Sequence, residues 1–255
     1  MSKENKESGF ISHLVELRKR LISSLICLLI LFVICYYFSD YIYGFLVDPF
    51  AEAVKNDNVE RRLIFTALQE TFLTYLKVSF FAAFFITSPF ILIQIWKFIA
   101  PGLYDHEKNA IMPYLILTPV LFLLGGMLVY YLIMPLAIKF FLSFESTGLS
   151  TTLPIQLEAK VNEYLSLVMK LIFAFGLSFQ LPIVLSLLAR IGLIDSQFLK
   201  ERRKYVVVII FAAAALLTPP DPITQIGLAI PLLILYELSI LSVKIIENKT
   251  KEKNA

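Results

Sequence analysis

Two segments of the chain carry side chains suited to binding a cationic ligand, and each adjoins an apolar run. In the first, His13, Glu16 and Arg20 lie along one face of a predicted amphipathic helix. In the second, Asp105 and Glu107 follow a predicted turn. Carboxylates beside apolar and aromatic groups favour a basic peptide with a hydrophobic stretch, because an arginine and a carboxylate form paired, charge-assisted hydrogen bonds.

Each of these segments also has a simpler interpretation. Glu16 is spaced to pair with Arg20 on the next helical turn, and the neighbouring basic residues would then only fix the topology. The segment with Asp105 and Glu107 would be an ordinary solvated loop. We expect both segments on the same side of the membrane, where together they supply two or three carboxylates.

Other kinds of chemistry have little support in the sequence. The phosphate-binding pattern G-x-x-x-x-G-K-[ST], the nucleophile elbow G-x-S-x-G and the zinc pattern H-E-x-x-H do not occur. The two histidines, His13 and His106, lie outside the apolar runs and have no cysteine near them. We therefore predict no enzyme activity, no catalytic residue, no metal, no cofactor and no nucleic-acid partner.

The composition requires a membrane around the chain. Of the 255 residues, 58% are hydrophobic and only 17% are charged, whereas soluble domains carry roughly a quarter charged residues. Runs of about 20 apolar residues without strand-like alternation span a bilayer as helices. The sequence predicts a single polytopic all-α membrane domain over residues 1–255, with six transmembrane helices. Their approximate bounds are 21–38, 72–96, 111–134, 162–188, 205–217 and 223–243.

The distribution of basic residues predicts the orientation. Sixteen Lys and Arg residues fall on the side of the amino terminus and five on the other side, which places both termini in the cytoplasm. The last two spans are short or interrupted: residues 205–217 give roughly 20 Å of helix, and Pro231 and Glu237 interrupt the sixth. A thinned bilayer, shelter within the bundle or a re-entrant hairpin would each accommodate this pair.

Polar side chains in or beside the spans are costly in lipid and need partners. Gln180 lies near the middle of the fourth span, and Thr218 and Gln225 flank the turn between the last two spans. Each predicts a hydrogen bond to another helix, either of this chain or of a partner protein.

Four separated motifs, in their order and spacing, resemble the TatC family over residues 10 to 244. The motifs are His13-Leu-x-Glu16-Leu-Arg18-x-Arg20, Phe98-x-x-Pro101-x-Leu103-Tyr104-x-His106-Glu107, Phe175-Gly-x-Ser-Phe and Leu217-Thr-Pro-Pro-Asp221. The resemblance implies a core subunit of the twin-arginine protein translocase in the bacterial inner membrane. Such a subunit binds twin-arginine signal peptides at its cytoplasmic face, and the translocase exports folded proteins using the proton-motive force.

The resemblance also implies roles for particular residues in peptide binding. Glu16 and Glu107 match the acidic residues that the family uses for the arginine pair. Arg18, Phe98 and Leu103 match neighbouring residues associated with the same recognition.

Further positions match parts of the family linked to assembly and to the outer side of the membrane. The implied partners are the single-span subunits TatA and TatB, whose helices associate with the region of Thr218 and Gln225 and with the position that Gln180 holds. Self-association in a larger receptor complex is implied as well. Many family members carry a glutamate in place of Gln180, so a role that needs an ionised carboxylate is not expected here. Pro49, Tyr130 and Asp221 match positions linked to activity or structure on the outer side.

A small-solute transporter is the alternative that the residues alone leave open. It would place its substrate site near the bilayer midplane between broken helices, in a fold built from repeated halves. No internal repeat is apparent in the sequence. Composition and charge therefore predict the topology, and the translocase function depends on the resemblance.

Overall fold

The computed structural model describes residues 3–55, 61–99, 108–146, 153, 155–218 and 222–254. Within those ranges the regular structure is helical, with two isolated β-bridges in the connections. The helices are α1 (Lys3–Tyr37), α2 (Ser39–Val54), α3 (Glu70–Ile99), α4 (Lys108–Leu128), α5 (Met134–Leu142), α6 (Val161–Ser178), α7 (Leu181–Arg190), α8 (Ser196–Leu217) and α9 (Pro222–Asn254). This confirms the predicted all-α class.

Among the described residues, five stretches of helix are long and apolar enough to cross a membrane. They are His13–Tyr37, Glu70–Phe98, Pro113–Leu142, Val161–Arg190 and Thr224–Asn248. The predicted fifth span, residues 205–217, forms the apolar second half of α8, whose first half is strongly charged. The number of six crossings and the cytoplasmic location of both termini stay predictions.

Contacts between Cα atoms divide the chain into two compact units. The first unit comprises Met1–Ile42 and Leu76–Val120, and the second comprises Tyr43–Tyr75 and Leu121–Ala255. In the first unit, Cys35 of α1 packs against Ala82 and Ala83 of α3. In the second, α9 packs against both α7 and α8. Small and aliphatic side chains at these contacts allow the helices to lie close together.

The predicted fourth span, 162–188, is two helices rather than one. The break falls at Phe179 and Gln180, between α6 and α7. Pro182 lies in the first turn of α7, where it cannot donate a hydrogen bond and where its ring would clash with the carbonyl group four residues earlier. The backbone amide of Gln180 donates to the carbonyl oxygen of Leu177, only three residues back, at 3.0 Å. This shorter-range bond tightens the end of α6.

The predicted third span, 111–134, continues to Leu142 and contains a π-helical turn. Residues Val129–Ile133 separate α4 from α5, and the amide of Met134 bonds the carbonyl oxygen of Val129, five residues back. Pro135 follows directly and has no amide hydrogen, so the regular helical ladder is interrupted at this point. Tyr130 lies inside the π-helical turn.

The connections between the first and second predicted spans and between the third and fourth contact each other. The first begins as helix α2. The amide of Ile64 donates to the carbonyl oxygen of Ala159 at 3.1 Å, and the amide of Val161 returns a bond to Ile64 at 2.9 Å. This parallel bridge joins the two connections directly before α6.

Candidate functional site

The acidic site predicted on α1 is built around Glu16, Arg20 and Gln94. Arg20 donates from Nε to Oε1 of Glu16 at 3.0 Å, one helical turn away. The same guanidinium donates from Nη1 to Oε1 of Gln94 on α3 at 2.8 Å. Because one planar guanidinium serves both acceptors, it fixes the Glu16 carboxylate relative to the end of α3.

An aromatic contact lies next to this ion pair. The rings of His13 and Phe98 are stacked, with centroids 4.1 Å apart and an angle of 16° between their planes. His13, Glu16 and Arg20 recur at helical spacing on α1, and Gln94 and Phe98 are four residues apart on α3, so each helix presents one face to the contact. We call these five residues the acidic–aromatic cluster.

The Glu16 carboxylate is only partly used within the chain. The two hydrogen bonds from Arg20 to Glu16 end on the same oxygen, Oε1. Oε2 of Glu16 accepts no hydrogen bond from any residue in the described part of the chain. The side chain of Glu16 is 36% exposed and that of Arg20 is 23% exposed. Arg20 therefore holds one carboxylate oxygen of Glu16 in place, and the other oxygen has no donor among the described residues.

The other residues predicted for peptide binding are placed unevenly. Phe98 belongs to the acidic–aromatic cluster. Arg18 lies on α1 with an exposed side chain, outside that cluster. Leu103 and Glu107 lie outside the described residues, as does Asp221 of the predicted outer group.

The three side chains predicted to reach a partner helix lie in the second unit. Thr218 ends α8 and donates its hydroxyl to the carbonyl oxygen of Ala214 at 2.9 Å. Gln225 on α9 donates to the carbonyl oxygen of Phe211 at 3.3 Å. Gln180 is buried at the break between α6 and α7. Thr218 and Gln225 thus both bond the last turns of α8, and the carbonyl oxygen of the Gln225 side chain accepts no bond from the described residues.

Two residues predicted on the outer side, Pro49 and Tyr130, act on the same turn of α2. Pro49 lies inside α2 and has no amide hydrogen, so the carbonyl oxygen of Phe45 lacks its usual helical donor. The Tyr130 hydroxyl donates to that oxygen at 2.7 Å, and its ring stacks on the ring of Phe45 with centroids 4.4 Å apart. Tyr164 bonds the next carbonyl oxygen, of Leu46, at 3.1 Å.

An ion pair joins the two long connections of the second unit. Arg61 bonds both carboxylate oxygens of Glu145, each at 2.6 Å, and the amide of Leu157 donates to the same carboxylate at 2.6 Å. The Arg61 side chain is 8% exposed. The hydrogen bond from Arg61, aided by that of Leu157, holds the pKa of Glu145 below its ordinary value.

Sequence reasoning missed Gln94, Arg61 and Glu145. Gln94 had a visible signal, because it is an amide in the apolar run Ile91–Ile95 and lies one helical turn before Phe98. Arg61 and Glu145 are far apart in sequence and lie in segments without periodicity, so nothing in either segment indicated the other. No group of three His, Cys, Asp or Glu side chains that would hold a metal ion occurs among the described residues.

Comparison with known proteins gives a consistent result over nearly the whole chain. Residues 12–231 match the family model described as Sec-independent protein translocase protein (TatC). The TatC protein of Magnetococcus marinus is 47% identical over 250 residues, covering 98% of this chain and 89% of the relative. That of Escherichia coli K12 is 34% identical over 230 residues, covering 90% of this chain and 86% of the relative.

A solved structure agrees with the sequence comparison. A crystal structure described as the twin-arginine translocase receptor TatC superposes with a TM-score of 0.78 at 41% identity, covering 92% of this chain and 99% of that chain. Together with the five apolar helices, these relatives establish a multi-pass protein of the bacterial inner membrane. The chain belongs to the TatC family of Sec-independent protein translocase proteins.

Proposed function

We propose that this chain, a core subunit of the Sec-independent twin-arginine translocase, binds the arginine pair of signal peptides through the acidic–aromatic cluster. The observation that carries the proposal is Oε2 of Glu16, which has no donor among the described residues, while Oε1 is fixed by Arg20, itself held by Gln94. A peptide guanidinium meeting Oε2 forms a charge-assisted hydrogen bond without having to displace Arg20. Glu107, predicted on the same side of the membrane, supplies the second carboxylate for the second arginine.

The stacked pair of His13 and Phe98 supports a choice of arginine over lysine. A guanidinium is planar, is more weakly hydrated than an ammonium group, and stacks on aromatic faces. Phe98 is partly exposed and stacks on His13, one helical turn before Glu16, so one ligand group would contact both the ring and the carboxylate. Leu103 and the exposed Arg18 border this surface by family resemblance, and they would contact the hydrophobic and polar flanks of the peptide.

The same proposal includes the partner subunits TatA and TatB. Thr218 and Gln225 lie where α8 and α9 meet, and Gln225 keeps an acceptor group that its bond to Phe211 does not use. A polar group on a single-span partner helix would bond there, and one such bond contributes about 0.6–2 kcal/mol. Gln180 would make a similar bond as a neutral amide. The proton-motive force drives export in this scheme.

The experiment measures equilibrium binding of a labelled twin-arginine signal peptide and of its twin-lysine version to the purified full-length protein in nanodiscs. The expected result is preference for arginine, and a loss of roughly tenfold or more in affinity for the Glu16→Gln variant, since a charge-assisted bond contributes about 1.5–3 kcal/mol. Glu52→Gln, which removes an exposed carboxylate from α2, is the control. Equal binding of both peptides, or an unchanged affinity in Glu16→Gln, would refute the assignment.

A further inference from the structure

The first half of α8 carries four cations in five residues. One of them pairs with a residue of α9, and the other three lie off the face that packs against α9. One face of α8 contacts α9 through Leu199 and Val206, and Ile210, further along the same face, is buried. Arg203 lies on that face and donates to Glu237 of α9 at 2.6 Å. Lys200, Arg202 and Lys204 lie off that face, and all three side chains are exposed. We call these three residues the basic turn.

The basic turn has no carboxylate partner within the described part of the chain. Two of its three cations, those of Arg202 and Lys204, lie against exposed aromatic rings. The guanidinium of Arg202 is 5.2 Å from the centroid of Phe198 and 5.8 Å from that of Tyr205. The ammonium group of Lys204 is 5.1 Å from the Tyr205 centroid. Aromatic contacts of this kind hold the cations in place and leave their hydrogen-bond donors open.

The depth of the basic turn follows from the residues that come after it. Val208 and Ile209 are 67% and 64% exposed, and in a membrane protein such aliphatic surface faces the lipid chains. Lys204 precedes Val208 by four residues, which is about 6 Å along a helix. Tyr205 lies between them, and exposed tyrosine is enriched at the boundary between hydrocarbon and headgroups. With residues 205–217 as the predicted fifth span, the basic turn would lie at the level of the phosphate groups.

We propose that the basic turn is a binding site for the headgroup of an anionic phospholipid. The phosphate would accept hydrogen bonds from Arg202 and Lys204 around the Tyr205 ring, and Lys200 would face a second phosphate. The lipid chains would lie along Val208 and Ile209. An acidic protein or a nucleic acid would satisfy the cations but would leave this adjacent aliphatic surface uncovered, so a lipid fits better than either.

The site is tested by native mass spectrometry of the full-length protein released from nanodiscs. The nanodiscs contain phosphatidylglycerol and phosphatidylcholine with identical acyl chains in equal amounts. Wild-type protein is expected to retain phosphatidylglycerol over phosphatidylcholine by about threefold or more, because each basic residue near an anionic surface adds to the attraction. The ratio should fall close to one in the variant Lys200→Gln/Arg202→Gln/Lys204→Gln.

A charge-matched control separates the site from the overall charge. The variant Lys55→Gln/Lys139→Gln/Lys160→Gln also loses three positive charges, but at positions where the cation does not lie over an aromatic ring of the described residues. It should keep the wild-type ratio of phosphatidylglycerol to phosphatidylcholine. If the basic-turn variant keeps the ratio, or if the control loses as much, the proposal is wrong. Loss of the preference when millimolar glycerol 3-phosphate is added would indicate a site for soluble phosphates and would also overturn it.

Two further variants keep the test decisive if the neutral basic-turn variant does not fold. Glu201→Gln removes an exposed carboxylate from within the basic turn and should raise the ratio, since the negative charge repels the headgroup. Exchange of the cations for each other, Lys200→Arg/Arg202→Lys/Lys204→Arg, should preserve the ratio. A fall in either variant would contradict a site that is defined by positive charge.

Discussion

The hydroxyl of Tyr130 hydrogen-bonds the carbonyl oxygen that Pro49 leaves without a helical donor. That oxygen belongs to Phe45, and the bond measures 2.7 Å. The family resemblance linked Pro49 and Tyr130 to the outer side separately, as two positions far apart in sequence. The contact explains why the two residues occur together: proline opens one acceptor in α2, and the π-helical turn around Val129–Ile133 aims a hydroxyl at it.

This pairing predicts a coupling in the free energy of unfolding. Tyr130→Phe removes the donor of this exposed hydrogen bond, which should cost roughly 0.5–1.5 kcal/mol. In a Pro49→Ala background the restored amide of residue 49 bonds Phe45, so the same Tyr130→Phe change should cost much less. Unfolding of the four proteins of this cycle in detergent measures the coupling. Tyr131→Phe, at a ring that is 71% exposed, is the control, and strict additivity in the cycle would contradict the pairing.

The crossing of α4 and α6 depends on Gly125. A Cβ atom added there would lie 2.7 Å from the carbonyl oxygen of Phe175, a backbone atom that moves only if α6 moves. Gly125→Ala should therefore destabilise the protein by about 1–3 kcal/mol. Gly44→Ala is the matched control on α2, because its Cβ would meet nothing within 4 Å. A melting temperature unchanged by Gly125→Ala, or lowered equally by both changes, would show that this close approach is not needed.

The ion pair between Arg61 and Glu145 predicts a dependence of stability on pH. The pKa of Glu145 is lowered from its ordinary value of 4.5 in the folded protein. Its stabilising contribution is therefore complete above pH 4.5 and is lost as the pH falls through the lowered pKa. The difference in melting temperature between wild type and Glu145→Gln should be constant at neutral pH and should shrink on acidification.

A second variant tests whether the guanidinium is the cause of this dependence. Arg61→Gln should lose most of the acid-dependent part, because the hydrogen bond from Arg61 is the largest cause of the lowered pKa. If the stability difference between wild type and Glu145→Gln does not vary with pH, the ion pair does not stabilise the two connections. The same holds if Arg61→Gln retains the full dependence.

Arg20 should determine selectivity rather than affinity at the proposed peptide site. Replacement of Arg20 by Gln removes the guanidinium that holds the Glu16 carboxylate in position. It also leaves the negative charge of Glu16 uncompensated. Binding of a twin-lysine peptide should then rise or stay constant, and the preference for twin-arginine over twin-lysine should fall by about tenfold. Gln94→Leu should give a smaller fall in the same direction, because Arg20 still bonds Glu16. The account is wrong on this point if Arg20→Gln weakens both peptides equally.

Much of the fold was predictable because apolar length and basic flanks are strong signals in a membrane protein. The first four predicted spans and the sixth correspond to helices long and apolar enough to cross a membrane, and the fifth forms the second half of α8. The breaks were harder to predict. Pro182 and Pro135 were visible in the sequence, but whether a proline kinks, splits or merely bends an apolar helix depends on the neighbouring helices that satisfy the freed groups.

The site was predictable only where its residues share one helix. His13, Glu16 and Arg20 follow from helical spacing on α1, whereas the bond from Arg20 to Gln94 joins residues 74 positions apart. The contact between Arg61 and Glu145 spans 84 positions and has no local pattern. Glu16 pairs with Arg20, as the simpler interpretation predicts, and its role in binding a ligand stays a proposal.

Site-specific photo-crosslinking tests the receptor proposal most directly. A photoreactive residue replaces Val15, beside Glu16, or Lys108, after the predicted acidic loop, in native-like membranes with the partner subunits present. A probe at Leu68, which is 96% exposed and predicted on the outer side, is the control. The account predicts capture of a twin-arginine signal peptide at Val15 and Lys108 but not at Leu68, little capture of the twin-lysine peptide, and loss of capture in Glu16→Ala/Glu107→Ala. Equal capture of both peptides, or capture that survives the double variant, would contradict it.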